Sequence, residues 1–161
     1  MSIFIYRKGL FMCKEDTMTI TIRKAKEDDF EDVWNLLKEL FVKDNISKIK
    51  TREIFLNDLK HENSVELVLE LKNQVIGYTA VNIRDDIQTQ GKVGYLSELI
   101  IEESLRGKGF GGKFIEELFS ILKKMECKEV HLSSNYKRKK AHEFYKALGF
   151  NITSYFFWKE L

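Results

Sequence analysis

Apolar residues recur along this chain in two rhythms. Phe30, Val33, Trp34, Leu37, Leu40 and Phe41 fall at i, i+3, i+4, i+7 spacing, one stripe of a helix, and Asp28 with Glu31 supplies a start resembling a capping box. A weaker helix is expected next, capped near Thr51 and carrying Ile54, Phe55 and Leu59. Val65, Leu67, Leu69 and Leu71 then alternate with their neighbours, the two-residue period of a strand. Lys72-Asn73 reads as a hairpin turn into a strand over 74–83, and a polar loop, 84–92, leads to a strand over 93–101. Helical spacing returns over 109–125 (Phe110, Phe114, Leu118, Ile121, Leu122 and Met125), followed by a strand at 128–133, a helix at 138–148 and a strand-like segment at 152–160. With a β-prone run at 19–24, the order is β-α-α-β-β-β-α-β-α-β, a mixed α/β domain without repeats or linkers.

Composition narrows this picture. A chain of 161 residues suits one domain, and 43% hydrophobic content with 12% aromatic excludes disorder. Met18 opens a segment that reads as a natural domain start, so the domain is expected over 18–161. Residues 1–17 are then an extension, an edge-adding strand or the product of an upstream start codon. The net charge of +2 advertises neither nucleic acid nor an anionic membrane. Cys13 and Cys127 are too few for a disulfide framework or a zinc site and read as free thiols of a reducing, cytoplasmic compartment. No apolar run approaches a membrane span, and Arg7 and Lys8 interrupt any export signal ahead of Cys13.

Four of the nine glycines fall between Gly107 and Gly112, in the segment Arg106-Gly107-Lys108-Gly109-Phe110-Gly111-Gly112-Lys113. Glycines let a backbone approach a phosphate, and the start of the following helix favours the anion. The spacing satisfies a nucleotide-triphosphate loop, but Phe114 stands where the magnesium-holding Ser or Thr belongs. It also satisfies a dinucleotide fingerprint, but no acid follows at the next strand end, and too little chain remains for that fold. A third pattern fits its setting. Arg106-x-x-Gly109-x-Gly111, after a strand and before an amphipathic helix, resembles the acyl-CoA pyrophosphate loop of the GNAT superfamily of N-acetyltransferases. Ala141-His142-Glu143-Phe144-Tyr145-Lys146-Ala147-Leu148-Gly149-Phe150 resembles the A-x-x-F-Y-x-x-L-G-F signature of the same family. The element order from 18 to 161 matches as well.

This resemblance implies a central mixed, mostly antiparallel sheet of six or seven strands, flanked by about four helices and splayed between its fourth and fifth strands. It implies acetyl-CoA as cosubstrate, no metal, and acetyl transfer to a primary amine by direct attack in a ternary complex. Main-chain groups of Leu99, Ile100 and Ile101 would hold the pantetheine. The amides of Arg106, Gly107, Lys108, Gly109, Phe110, Gly111 and Gly112 would hold the pyrophosphate. Tyr145 would be the acid that protonates the leaving sulfur, and Glu98 the base. Glu98 is read as sharing a strand face with Leu96 and Ile100, among apolar neighbours that raise its pKa. Asn135 follows the fifth strand where the family places a CoA contact, but it precedes Ala141 by six residues rather than three, so Ser134 or Arg138 are alternatives.

The acceptor stays open. It would be a small-molecule or peptide amine, bound by the first two helices, loop 84–92 with Asp85 and Asp86, and Tyr155-Phe156-Phe157-Trp158. A non-catalytic CoA sensor of the same fold is the rival reading, and a nucleic-acid-associated modifier a weaker one; no membrane partner is expected. The aromatic C-terminal segment or residues 1–17 would suit a homodimer. The near-neutral total conceals two opposed regions. Residues 104–146 carry 11 basic and 5 acidic side chains, while 1–103 carry 15 and 19. The basic stretch is the one expected to hold the polyanionic cofactor.

Overall fold

The computed structural model describes residues 9–11, 19–42 and 45–161; Cys13 and Met18 lie outside them. Its strands are β1 (Gly9–Phe11), β2 (Ile20–Lys24), β3 (Ser64–Leu71), β4 (Gln74–Asp86), β5 (Gly91–Ile101) and β6 (Cys127–Leu132). Its helices are α1 (Phe30–Leu40), α2 (Lys48–Asp58), α3 (Phe110–Lys124) and α4 (Lys139–Ala147). The six strands form one sheet in chain order, antiparallel throughout except for the parallel pair β5–β6.

Local chemistry explains the boundaries. Lys72 and Asn73 adopt left-handed φ values of 52° and 64°, the twist a two-residue hairpin turn needs. The expected loop 84–92 is instead mostly strand. β4 and β5 continue to Asp86 and from Gly91, and the turn between them is held by the Thr89 amide donating to Asp86 Oδ1 at 2.9 Å. Asp86 is thus a turn residue. The box at the start of the first helix is also displaced. Asp29, not Glu31, accepts from the Lys26 amide (2.7 Å), because Asp29 is fixed by both guanidinium nitrogens of Arg23, at 2.7 Å each. Ser47, rather than Thr51, caps α2.

Two apolar layers sandwich the sheet. Phe114, Ile115, Leu118 and Leu122 of α3 pack with Val65, Leu67, Leu69 and Val81 on one face. Val33, Leu36 and Leu37 of α1 and Phe55 of α2 pack with Val68, Tyr78 and Ile100 on the other. At roughly 1.5–3 kcal/mol per fully buried large apolar side chain, these layers dominate the favourable side of folding. The strand expected over 152–160 is not formed. Residues 151–161 belong to no helix or strand, every one is exposed, and none of them makes a hydrogen bond among the described residues. Within 18–161 the sheet has five strands, fewer than the six or seven expected; β1 from the preceding segment adds the sixth, and the last strand is β6.

Candidate active site

β5 carries one residue more than β4 opposite it. Ala80 pairs with Glu98 and Val81 with Leu96, so Ser97 is a bulge. The extra residue reverses the strand's parity. Leu96 therefore enters the α3 layer, whereas Ile100 enters the α1/α2 layer. The expectation that Glu98 shares a face with both is corrected: it lies with Ile100. The bulge is invisible to a strict period of two.

Glu98 lies beside small Ala80, and Ala80 is flanked on its other side by Glu66 of β3. Burial, then the nearby charge of Asp58 on α2, pushes the Glu98 carboxyl up to about 7. Such a carboxyl is poised to take a proton near neutrality. Glu66 was missed at the level of sequence. It is only 4% exposed, accepts hydrogen bonds from the Tyr78 hydroxyl and from Ser64 Oγ (3.1 Å), and is likewise raised by burial to about 7. Tyr78 itself is raised well above its ordinary value, first by burial and then by Glu66. The available signal was Val68. An apolar residue on the face of β3 that also bears Glu66 shows that this face too is covered.

Beyond Leu96, which pairs with Leu132, β5 runs on to Ile101 without β6 at its side. Leu99, Ile100 and Ile101 pair with Thr79, Tyr78 and Gly77 of β4, and among the described residues their other edge faces no strand. A single turn, Glu103–Leu105, then leads into the glycines. Gly107 and Gly109 adopt φ values of +77° and +83°, where a side chain is strained, and Gly109 is the N-cap of α3. The amides of Gly107, Lys108, Gly109, Phe110, Gly111 and Gly112 donate to no acceptor among the described residues. The first turn of a helix has no internal acceptor, and its dipole adds positive potential. The loop thereby presents a row of unpaired amides at the positive end of a helix, an arrangement that could receive an anion. The Arg106 side chain takes another part. Its Nε donates to the Ile101 carbonyl (2.7 Å) and its Nη2 to Glu39 of α1 (2.9 Å), tying the loop to β5 and α1.

The two sequence motifs meet in space. A Cβ on Gly111 would come within 3.3 Å of the Phe144 ring, so the start of α3 rests directly on α4. Tyr145, the next residue, is half-buried between Phe144 and Phe150, with ring centroids 5.6 Å from each. Burial raises its phenol, with Arg138 opposing. Its hydroxyl has no hydrogen-bond partner among the described residues.

Asn135 and Arg138 are occupied locally. Asn135 Oδ1 accepts from the Lys137 amide (3.0 Å) to form the turn into α4, and Arg138 Nη2 donates to the Leu40 carbonyl (2.9 Å) at the end of α1. Burial raises the Cys127 thiol, against a smaller effect of Lys92, so it is not an activated nucleophile. No helix of the described residues is long and apolar enough to cross a membrane.

Several known proteins are similar to this chain. The chain is 27% identical over 150 residues to an aminoalkylphosphonate N-acetyltransferase of Salmonella typhimurium, covering 92% of this chain and 96% of that one. It is 26% identical over 145 residues to a thialysine N-epsilon-acetyltransferase of Bos taurus, covering 81% and 83%. Among solved structures, an aminoglycoside N-acetyltransferase, AAC(6′)-Iy, in complex with CoA superposes with a TM-score of 0.80 at 16% identity, covering 98% and 99%. Residues 30–150 match the model of the Acetyltransferase (GNAT) family. The chain belongs to that family, and is an acetyl-CoA-dependent N-acetyltransferase.

Proposed function

We propose that this enzyme transfers acetyl from acetyl-CoA to a primary amine by direct attack within a ternary complex. The pyrophosphate lies on the amides from Gly107 to Gly112, and the pantetheine runs along the β5 edge at Leu99, Ile100 and Ile101, in the opening where β5 and β6 part. Glu98 takes a proton from the ammonium of the acceptor, directly or through water. The freed amine nitrogen bonds to the thioester carbon, the carbon–sulfur bond breaks, Tyr145 gives its proton to the departing thiolate, and the second proton lost by the nitrogen as the amide forms restores the Tyr145 phenol through water. Asn135 and Arg138 then act by fixing the start of α4, which carries Tyr145, and Arg106 by fixing the loop.

The observation that carries this reading is the juxtaposition around one opening. A row of unpaired amides, an unpaired strand edge and a carboxyl that titrates at about 7 are joined by only a few residues of chain. An amine that is an ammonium at neutrality suits such a carboxyl, which can take its proton while remaining ionised above neutrality. The test is twofold. Initial rates with varied acetyl-CoA and amine are expected to give intersecting double-reciprocal lines; parallel lines would replace direct attack with a covalent intermediate. For the wild type, kcat/KM for the amine is expected to rise with pH and level off above about 7. In Glu98→Gln that inflection disappears.

A further inference from the structure

The amides of the glycine loop bond to nothing among the described residues, so the loop is held where it meets other elements. At one end Gly111 rests on the Phe144 ring. At the other stands the last turn of α1. Glu39 Oε2 accepts from the Glu103 amide at 3.2 Å and from Arg106 Nη2 at 2.9 Å. These donors lie at the start and just past the end of the Glu103–Leu105 turn. The first amide of a helical turn has no acceptor within that turn. One carboxylate oxygen therefore closes both ends of the link between β5 and Gly107.

Nothing in α1 itself explains an acid at this position. A helix dipole disfavours a carboxylate in the last turn and favours a cation there. Glu39 immediately precedes Leu40, the final residue of α1, so its partners outside the helix offset that cost. The same turn meets a second element with the favourable sign. Arg138 Nη2 donates at 2.9 Å to the Leu40 carbonyl, one of the acceptors that a helix end leaves unfilled. Arg106 follows β5 and Arg138 follows β6, the two strands that part beyond Leu96 and Leu132. Two adjacent residues of α1 are thus bonded to both banks of one opening.

We propose that the last turn of α1 braces this opening, with Glu39 as the positioning residue that sets the glycine loop for CoA. The proposal rests on the reading of that loop as the pyrophosphate site. Glu39 acts through the Glu103 amide and Arg106 rather than on the cofactor. Arg106, engaged by Glu39 and by the Ile101 carbonyl, serves the shape of the loop more than the charge of the phosphate. The coupling runs both ways. If the brace favours the loop form that binds CoA, then CoA steadies the end of α1 in return. Arg106 and Glu39 are partly exposed, at 46% and 35%, and such a pair adds little to global stability. Its loss should therefore appear in binding before it appears in folding.

Titration calorimetry with CoA, which binds without turnover, tests the brace alongside initial-rate kinetics. Glu39→Gln keeps an acceptor for the Glu103 amide but loses the charge that holds Arg106, and is expected to weaken CoA binding roughly five- to tenfold. Glu39→Ala loses both contacts and should weaken it further. Circular dichroism and the urea midpoint should barely move, and KM for acetyl-CoA should rise by more than kcat falls. Gly109→Ala separates the two readings. If it weakens CoA binding and neither Glu39 substitution does, the brace falls and the pyrophosphate site stands; if none of the three does, both fall. Tighter binding by Glu39→Gln would make Arg106 a phosphate ligand withheld by Glu39, and also overturns the proposal. Hydrogen exchange of the wild type needs no variant. CoA is expected to slow exchange across residues 36–41, where the Phe41 amide donates to the Leu37 carbonyl, and unchanged exchange there overturns the brace.

Discussion

Glu66 offers the sharpest test of the buried polar face. Its carboxyl titrates at 4.5 in an unstructured chain and at about 7 in the fold, where burial outweighs the hydrogen bonds from Tyr78 and Ser64. A carboxyl whose folded value is raised binds more protons in the native than in the unfolded state between these two pH values. Unfolding free energy therefore falls as pH rises from 4.5 to about 7, and the deficit persists above that. At 1.36 kcal/mol per pKa unit the full loss is about 3 kcal/mol, an upper bound. Glu98, raised to about 7, acts with the same sign, so the wild type is expected to take up close to two protons on folding near pH 6. Glu66→Gln keeps a side chain that can accept from Tyr78 but cannot ionise, and should remove one of them. The assay is urea unfolding at a series of pH values from 5 to 8 on both proteins, with slopes compared at constant m. Parallel stability–pH curves for wild type and Glu66→Gln would refute the reasoning, since they would mean that Glu66 titrates alike in both states.

Other substitutions probe other parts. Tyr145→Phe should lower kcat by roughly 10²-fold while changing KM for acetyl-CoA little; an unchanged rate would remove the acid role. Gly109→Ala meets no steric obstacle but must hold φ +83°, which costs about 1–2 kcal/mol. It should raise KM for acetyl-CoA more than it lowers kcat, as initial-rate kinetics would show. Arg23→Met leaves buried Asp29 and half-buried Glu70 without their shared cation and should cost about 3 kcal/mol in denaturant unfolding. Burial alone would raise Asp29, but the Arg23 hydrogen bonds and the Lys26 amide hold it below its ordinary value. In Arg23→Met the stabilisation that wild type loses on acidification below that ordinary value should be diminished.

Much of this was legible from residue order. Helical stripes at Phe30 to Phe41 and Phe110 to Met125, alternation from Val65 to Leu71 and the Lys72-Asn73 turn all report local backbone preference, which the fold keeps. The glycine loop was legible because positive φ and close approach select glycine almost uniquely. What failed depends on partners distant in sequence. Asp29 became the capping acid because Arg23, itself held by Glu70 on the neighbouring strand β3, fixes its carboxylate. Ser97 entered as a bulge because of how β4 pairs, with nothing in its own chemistry to announce it. Glu66 looked solvent-facing by alternation and is buried because α2 lies over it. The segment 152–160 has the composition of a strand, but a strand exists only when an edge accepts it.

The bulge at Ser97 works as a phase shift in the strand. Upstream of it, side chains keep step with the α3 layer; downstream, Glu98 and Ile100 keep step with the opposite one. Removing Ser97 would shorten the strand by only one residue. It would also send a carboxylate into the apolar layer under α3 and the flanking apolar side chains out of theirs. Length in this strand is therefore not a neutral variable. Substitution at 97 can drift, while insertion or deletion between Leu96 and Glu98 transfers a proton-accepting group from one side of the sheet to the other.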